Sequence, residues 1–106
     1  MFYSQRKNPN DEIIRSIKLF AQGLGNNLNI VILKKGRNDT LPDIDLLVVG
    51  SKNIKDELDE FLDSLFFKYS KPVSLSFFTP EQYKRLHEHP IIKKYREQGI
   101  VLYERK

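Results

Sequence analysis

The side chains best suited to chemistry in this sequence are Asp43 and Asp45, in the run Asp43-Ile-Asp-Leu-Leu-Val-Val-Gly50. Residues two apart on a strand leave the same face. The two carboxylates then stand roughly 6–7 Å apart along the backbone, at the head of an apolar strand where the core meets a polar loop. Such a pair can converge on one hard cation. Magnesium takes oxygen ligands and is commonly held by one or two carboxylates plus substrate phosphates. Like charges fixed side by side repel, and a cation between them reverses the sign of that interaction. The plainer alternative is a turn at Pro42-Asp43, with both acids simply solvated at a strand end.

Other reactive residue types offer less. Lys34, Lys35 and Arg37 fall in a polar segment, Lys34 to Pro42, that reads as a loop and also holds Gly36 and Asn38. These cations can bind a triphosphate by direct charge pairing, or can be an ordinary solvated basic loop. His87-Glu88-His89 has the composition of a metal site, but residues i and i+2 of a helix do not face each other, and Pro90 disrupts the segment. Solvent exposure at a helix end is the better account. Ser74 and Ser76 have no histidine at a useful spacing and read as strand positions. Phe61, Phe66, Phe67, Tyr69, Phe77 and Phe78 lie on apolar-patterned elements, as core or as a subunit interface between copies, rather than as a base-stacking platform.

Composition narrows the classes. At 106 residues, 40% hydrophobic and 30% charged, the chain suits one soluble domain spanning 1–106. It has no cysteine and two histidines, so disulfides, thiolate zinc sites, cysteine nucleophiles and three-histidine metal centres are excluded. No apolar run approaches the about 20 residues a membrane span needs, and Met1 to Lys7 lacks a signal peptide's apolar stretch. The expectation is a cytoplasmic protein without membrane attachment. The net charge of +4 permits a polyanionic partner. Its basic residues are scattered, and several close the chain at Lys93, Lys94, Arg96, Arg105 and Lys106, so nucleic acid is not the expected ligand.

The elements that must hold the acids follow from periodicity. Asn10, Asp11 and Glu12 read as a helix start. Ile13, Ile14, Ile17, Phe20, Ala21 and Leu24 then recur at helical spacing, and Gly23, Gly25, Asn26 and Asn27 supply the stop. Leu28 to Leu33 reads as a strand. Asp43 to Gly50 is apolar on both alternating faces after its acids, as a central strand covered on each side would be. Ser51 to Tyr69 reads as a helix with Ile54, Leu58, Phe61, Leu62, Leu65 and Phe66 toward the core. Pro72 to Thr79 is a third strand, and Thr79-Pro80-Glu81 opens another helix. His89-Pro90 breaks it, a short helix runs from Pro90 to about Gln98, and Ile100 to Tyr103 is a last strand. The order α, β, β, α, β, α, α, β predicts a small mixed β-sheet with helices packed against it, an α/β (α+β) domain.

Three segments carry a resemblance. Gly36-Arg-Asn-Asp-Thr-Leu-Pro-Asp-Ile-Asp-Leu-Leu-Val-Val resembles the strand-borne acid motif of the minimal nucleotidyltransferases of the DNA polymerase beta superfamily. Pro72-Val-Ser-Leu-Ser-Phe-Phe-Thr-Pro-Glu-Gln-Tyr resembles their third core strand and following helix, and His89 to Tyr103 resembles their usual ending. The resemblance implies a nucleotidyltransferase-like fold and transfer of a nucleoside monophosphate from a nucleoside triphosphate. Asp43 and Asp45 match the magnesium-binding pair, and Gly36 matches the second glycine of the phosphate loop.

The sequence also departs from that pattern. The family's Gly-Ser pair, which holds the triphosphate, would fall near Val31-Ile32, and neither residue can do that job. Its third acid, which helps activate the attacking hydroxyl, would fall at Ser74, expected beside the acids in the neighbouring strand. A neutral hydroxyl is neither a carboxylate ligand nor a base near neutral pH. Lys34, Lys35 and Arg37 are a candidate partial replacement for the phosphate loop. The resemblance implies one alternative, an inactive member acting as a binding module or antitoxin-like partner of a helical HEPN-type protein.

Overall fold

The computed structural model describes residues 9–35 and 44–105. Helix α1, Pro9–Leu24, carries Asp11 and Glu12 in its first turn, where the helix dipole favours negative charge. Its Ile13, Ile17 and Ala21 recur one turn apart and are buried. Gly25, at φ 57°, ends the helix in the left-handed region open to glycine. Strand β1 is Leu28–Lys35 and strand β2 is Ile44–Gly50. Helix α2, Lys55–Tyr69, leads to strand β3, Val73–Phe78. Helices α3, Pro80–Arg85, and α4, Pro90–Gln98, precede strand β4, Ile100–Glu104.

The four strands form one mixed sheet in the order β3-β2-β1-β4. β1 runs antiparallel to β2 and β4, whereas β2 and β3 are parallel. That parallel pair is joined through α2, since parallel neighbours need a crossover connection. The result is the small mixed α/β domain that the element order predicts.

Alternation in β2 divides the interior into two layers. Ile44, Leu46 and Val48 face α1 and α2, together with Val31, Leu33, Leu58, Leu62 and Leu65. Leu47 and Val49 face the other way, and pack with Ile32 of β1 and with Ile92 and Tyr95 of α4. Asp45 shares this second face by its position in the strand. All of β2 except Asp45 is buried, which matches a central strand apolar on both sides.

Two boundaries and the burial of one aromatic pair differ from the sequence expectation. Lys34 and Lys35 belong to β1 rather than to a loop, because they continue the ladder opposite Asp45 and Ile44. A 3-10 turn, Lys52–Ile54, precedes α2, so the segment from Ser51 does not start as an α-helix; the tighter turn sets Ile54 over Gly50, where a Cβ would lie 2.8 Å from its methyl group. Phe66 is 46% exposed and Phe67 82%. At about 100° per residue, the stripe set by Leu58, Leu62 and Leu65 leaves Phe66 on the flank and Phe67 nearly opposite. Phe61 does face inward, stacked on Phe20 with ring centroids 4.1 Å apart.

The seating of α4 depends on a missing side chain. A Cβ on Gly99 would collide with the Ile32 side chain and the Tyr95 carbonyl, and would lie 3.0 Å from the Leu33 carbonyl. Neither carbonyl can yield without breaking a strand or the end of α4. Gly99→Ala is therefore expected to lower stability by about 1–3 kcal/mol, the range for overpacking. Urea unfolding should show a lower midpoint at unchanged slope.

Candidate functional site

The start of β2 brings three of the sequence candidates into one row. Asp45 is paired in register with Lys34 of antiparallel β1 on one side and with Ser74 of parallel β3 on the other. Register partners share a face of the sheet, and neighbouring strands are about 4.8 Å apart. Lys34, Asp45 and Ser74 thus lie abreast on the side covered by α4. Lys34 and Asp45 are half-buried, and Ser74 is exposed. The next rows inward, Ile32-Leu47-Ser76 and Ile30-Val49-Phe78, are mainly apolar and lie beneath α3 and α4. The polar row is the rim of that apolar layer.

Among the described residues, none makes a hydrogen bond or ion pair with Asp45. Opposite charges directly across a ladder normally attract, yet the Lys34 ammonium does not pair with Asp45 within 4 Å. It stands instead over the Tyr95 ring, 5.9 Å from the centroid. Asp43, Gly36 and Arg37 lie outside the described residues, as does the side chain of Lys35.

Val31 and Ile32, the positions where a Gly-Ser pair would hold phosphate, are buried at 3% and 1% on opposite faces of mid-β1. They are core residues, inaccessible to a triphosphate. Among the described residues, no group of three or more histidine or acidic side chains is placed to hold a metal ion. A cation at this rim would therefore rely on Asp45, on Asp43 and on oxygens of its ligand.

The His87-Glu88-His89 segment has structural roles. His89 caps α4, its Nδ1 accepting the Ile91 N–H at 3.2 Å. Glu88 is exposed, with its carboxylate 3.1 Å from His87 Nδ1, 3.5 Å from Arg96 and 3.7 Å from Lys93. Arg96 also donates to the His87 carbonyl at 2.9 Å. These contacts tie the turn before α4 to the helix itself.

The residue that sequence reasoning missed is Tyr95. Its spacing from Ile92 marks both as the buried side of α4, and both are buried. Nothing local in the sequence places its ring beside Lys34. None of the described helices is long and apolar enough to cross a membrane. No protein-family model matches the chain, and neither does any curated protein or solved structure.

Lys93, then the hydrogen bond from His87, hold the Glu88 carboxyl below its ordinary value of 4.5. A depressed folded-state value means that these contacts stabilise at neutral pH, and that their contribution is lost as pH falls through that value. Carboxyl NMR titration of Lys93→Gln should show the Glu88 midpoint moving up toward the ordinary glutamate range.

Proposed function

We propose that this protein is a nucleotidyltransferase-like module that binds a nucleoside triphosphate with magnesium at the head of β2. Its capacity for transfer is weakened by a neutral residue at the third-acid position. The observation that carries this reading is the register of Asp45, flanked on one face by the Lys34 cation and by the Ser74 hydroxyl. The donor set suits a hard cation, since Asp45 is a carboxylate at the sheet rim with no described partner. Asp43 and Asp45 would hold magnesium, which when bound supplies positive charge to the phosphates. Lys34 would bind phosphate oxygens, with Lys35, Gly36 and Arg37 following it in the chain.

Transfer requires an acceptor hydroxyl to lose a proton as it attacks the phosphate that carries the nucleoside, with pyrophosphate leaving. Asp45 and Asp43 are committed to the metal in this reading. Ser74 stands where a third carboxylate would orient and deprotonate the acceptor, and a hydroxyl cannot do so near neutral pH. Loss of a general base costs a factor of about 10² to 10⁴ in rate. The same residue favours the second reading, an inactive binding module whose partner, by resemblance, is a helical HEPN-type protein.

Calorimetry with magnesium and a nucleoside triphosphate should show binding that disappears in the double variant Asp43→Asn/Asp45→Asn. Equal binding by that variant overturns the site assignment. Nucleotidyl transfer by the wild-type protein is expected to be weak or absent, and Ser74→Asp should raise it. Brisk wild-type turnover contradicts the role given to Ser74. Nucleotide binding with no transfer in either protein favours the binding module.

A further inference from the structure

We propose that Tyr95 is the positioning residue of the phosphate site: its ring holds the Lys34 ammonium away from Asp45, so that both charges stay open to a magnesium–polyphosphate ligand. The inference rests on the nucleotide-binding reading above and adds to it a residue from α4, outside the strands that carry the acids.

Lys34 and Asp45 face each other across an antiparallel ladder, the geometry in which opposite charges ordinarily attract. A direct pair would neutralise both groups, and a ligand would have to break it before binding either one. The ammonium lies instead 5.9 Å from the Tyr95 ring centroid, within the range where a ring quadrupole attracts a cation. An aromatic face accepts no ordinary hydrogen bond in competition with phosphate oxygens, so the donors of the ammonium remain usable.

The ring is a fixed platform. Tyr95 is only 8% exposed and packs in one cluster with Ile32, Leu47 and Val49. Ile92, three residues earlier on the same side of α4, is 1% exposed. The Gly99 N–H donates to the Tyr95 carbonyl at 2.8 Å, and the absence of a Cβ at Gly99 lets that end of the helix lie against β1. An ammonium and a carboxylate side by side but unpaired complement a ligand whose cation and anion are adjacent. A magnesium-bound nucleoside triphosphate has that character.

The test is calorimetric titration of the full chain with magnesium and ATP. Tyr95→Phe keeps the ring and should bind as the wild type does. Tyr95→Leu keeps apolar bulk but removes the π face, and should weaken binding about two- to five-fold, as expected for a partly exposed cation–π contact. In the Lys34→Gln background, Tyr95→Leu should cause no further loss, because the two residues act as one unit. A purely structural Tyr95 would weaken binding equally in both backgrounds, and that result overturns the proposal. NMR supplies a readout that needs no nucleotide. The Lys34 side-chain methylenes should show ring-current shifts in the wild type and in Tyr95→Phe, and should lose them in Tyr95→Leu. Retained shifts in Tyr95→Leu also overturn the proposal. No ATP binding by the wild type, with the ring-current shifts present, instead refutes the underlying nucleotide reading and removes the ligand role with it.

Discussion

Strand β2 is hydrogen-bonded along both edges and covered on both faces. β1 and β3 occupy its edges, α1 and α2 cover one face, and α3 and α4 cover the other. A charged group in the middle of such a strand would lose its hydration without a partner to compensate. Charge is tolerable only where the covering layers stop. Asp45 sits at that point, at the start of the strand, and is its one residue that is not buried. The constraint that makes β2 the spine of the fold therefore also confines its charge to the rim.

The two layers have unequal tasks. The layer beneath α1 and α2 contains most of the buried aliphatic residues, with the partly buried Phe20–Phe61 stack packed against them, and supplies most of the apolar burial that stabilises a domain of this size. The layer beneath α3 and α4 is smaller, and its edge lies beside the polar row. Local capping defines those two helices sharply. Thr79 and Gln82 satisfy each other's backbone N–H groups at the start of α3, which is the reciprocal arrangement of a capping box. His89 performs the corresponding task for α4. With both starts held and Gly99 closing the end, α4 presents Tyr95 to β1 at one position. A wall defined that closely can orient a flexible lysine, whose own side chain has many rotamers.

The element order, the central place of Ile44 to Gly50 and the cap at Thr79 were legible in the sequence, because each follows from local periodicity or from a short-range backbone requirement. The alternation of Val73, Ser74 and Leu75 put Ser74 apart from its neighbours, and the register sets it beside Asp45. Tertiary structure decided what local patterns do not encode. Lys34 and Lys35 read as loop residues because they are polar, yet their backbones complete the ladder opposite Asp45 and Ile44, and strand pairing is indifferent to side-chain polarity at a rim. Phe66 read as core from its spacing one turn after Leu62, but the stripe that Leu58, Leu62 and Leu65 define leaves it on the flank of α2, where it is exposed. The meeting of Lys34 with Tyr95 required the sheet to form, α4 to cross it and Gly99 to permit the approach. Periodicity shows which face of an element is buried, but not which distant residue that face will meet.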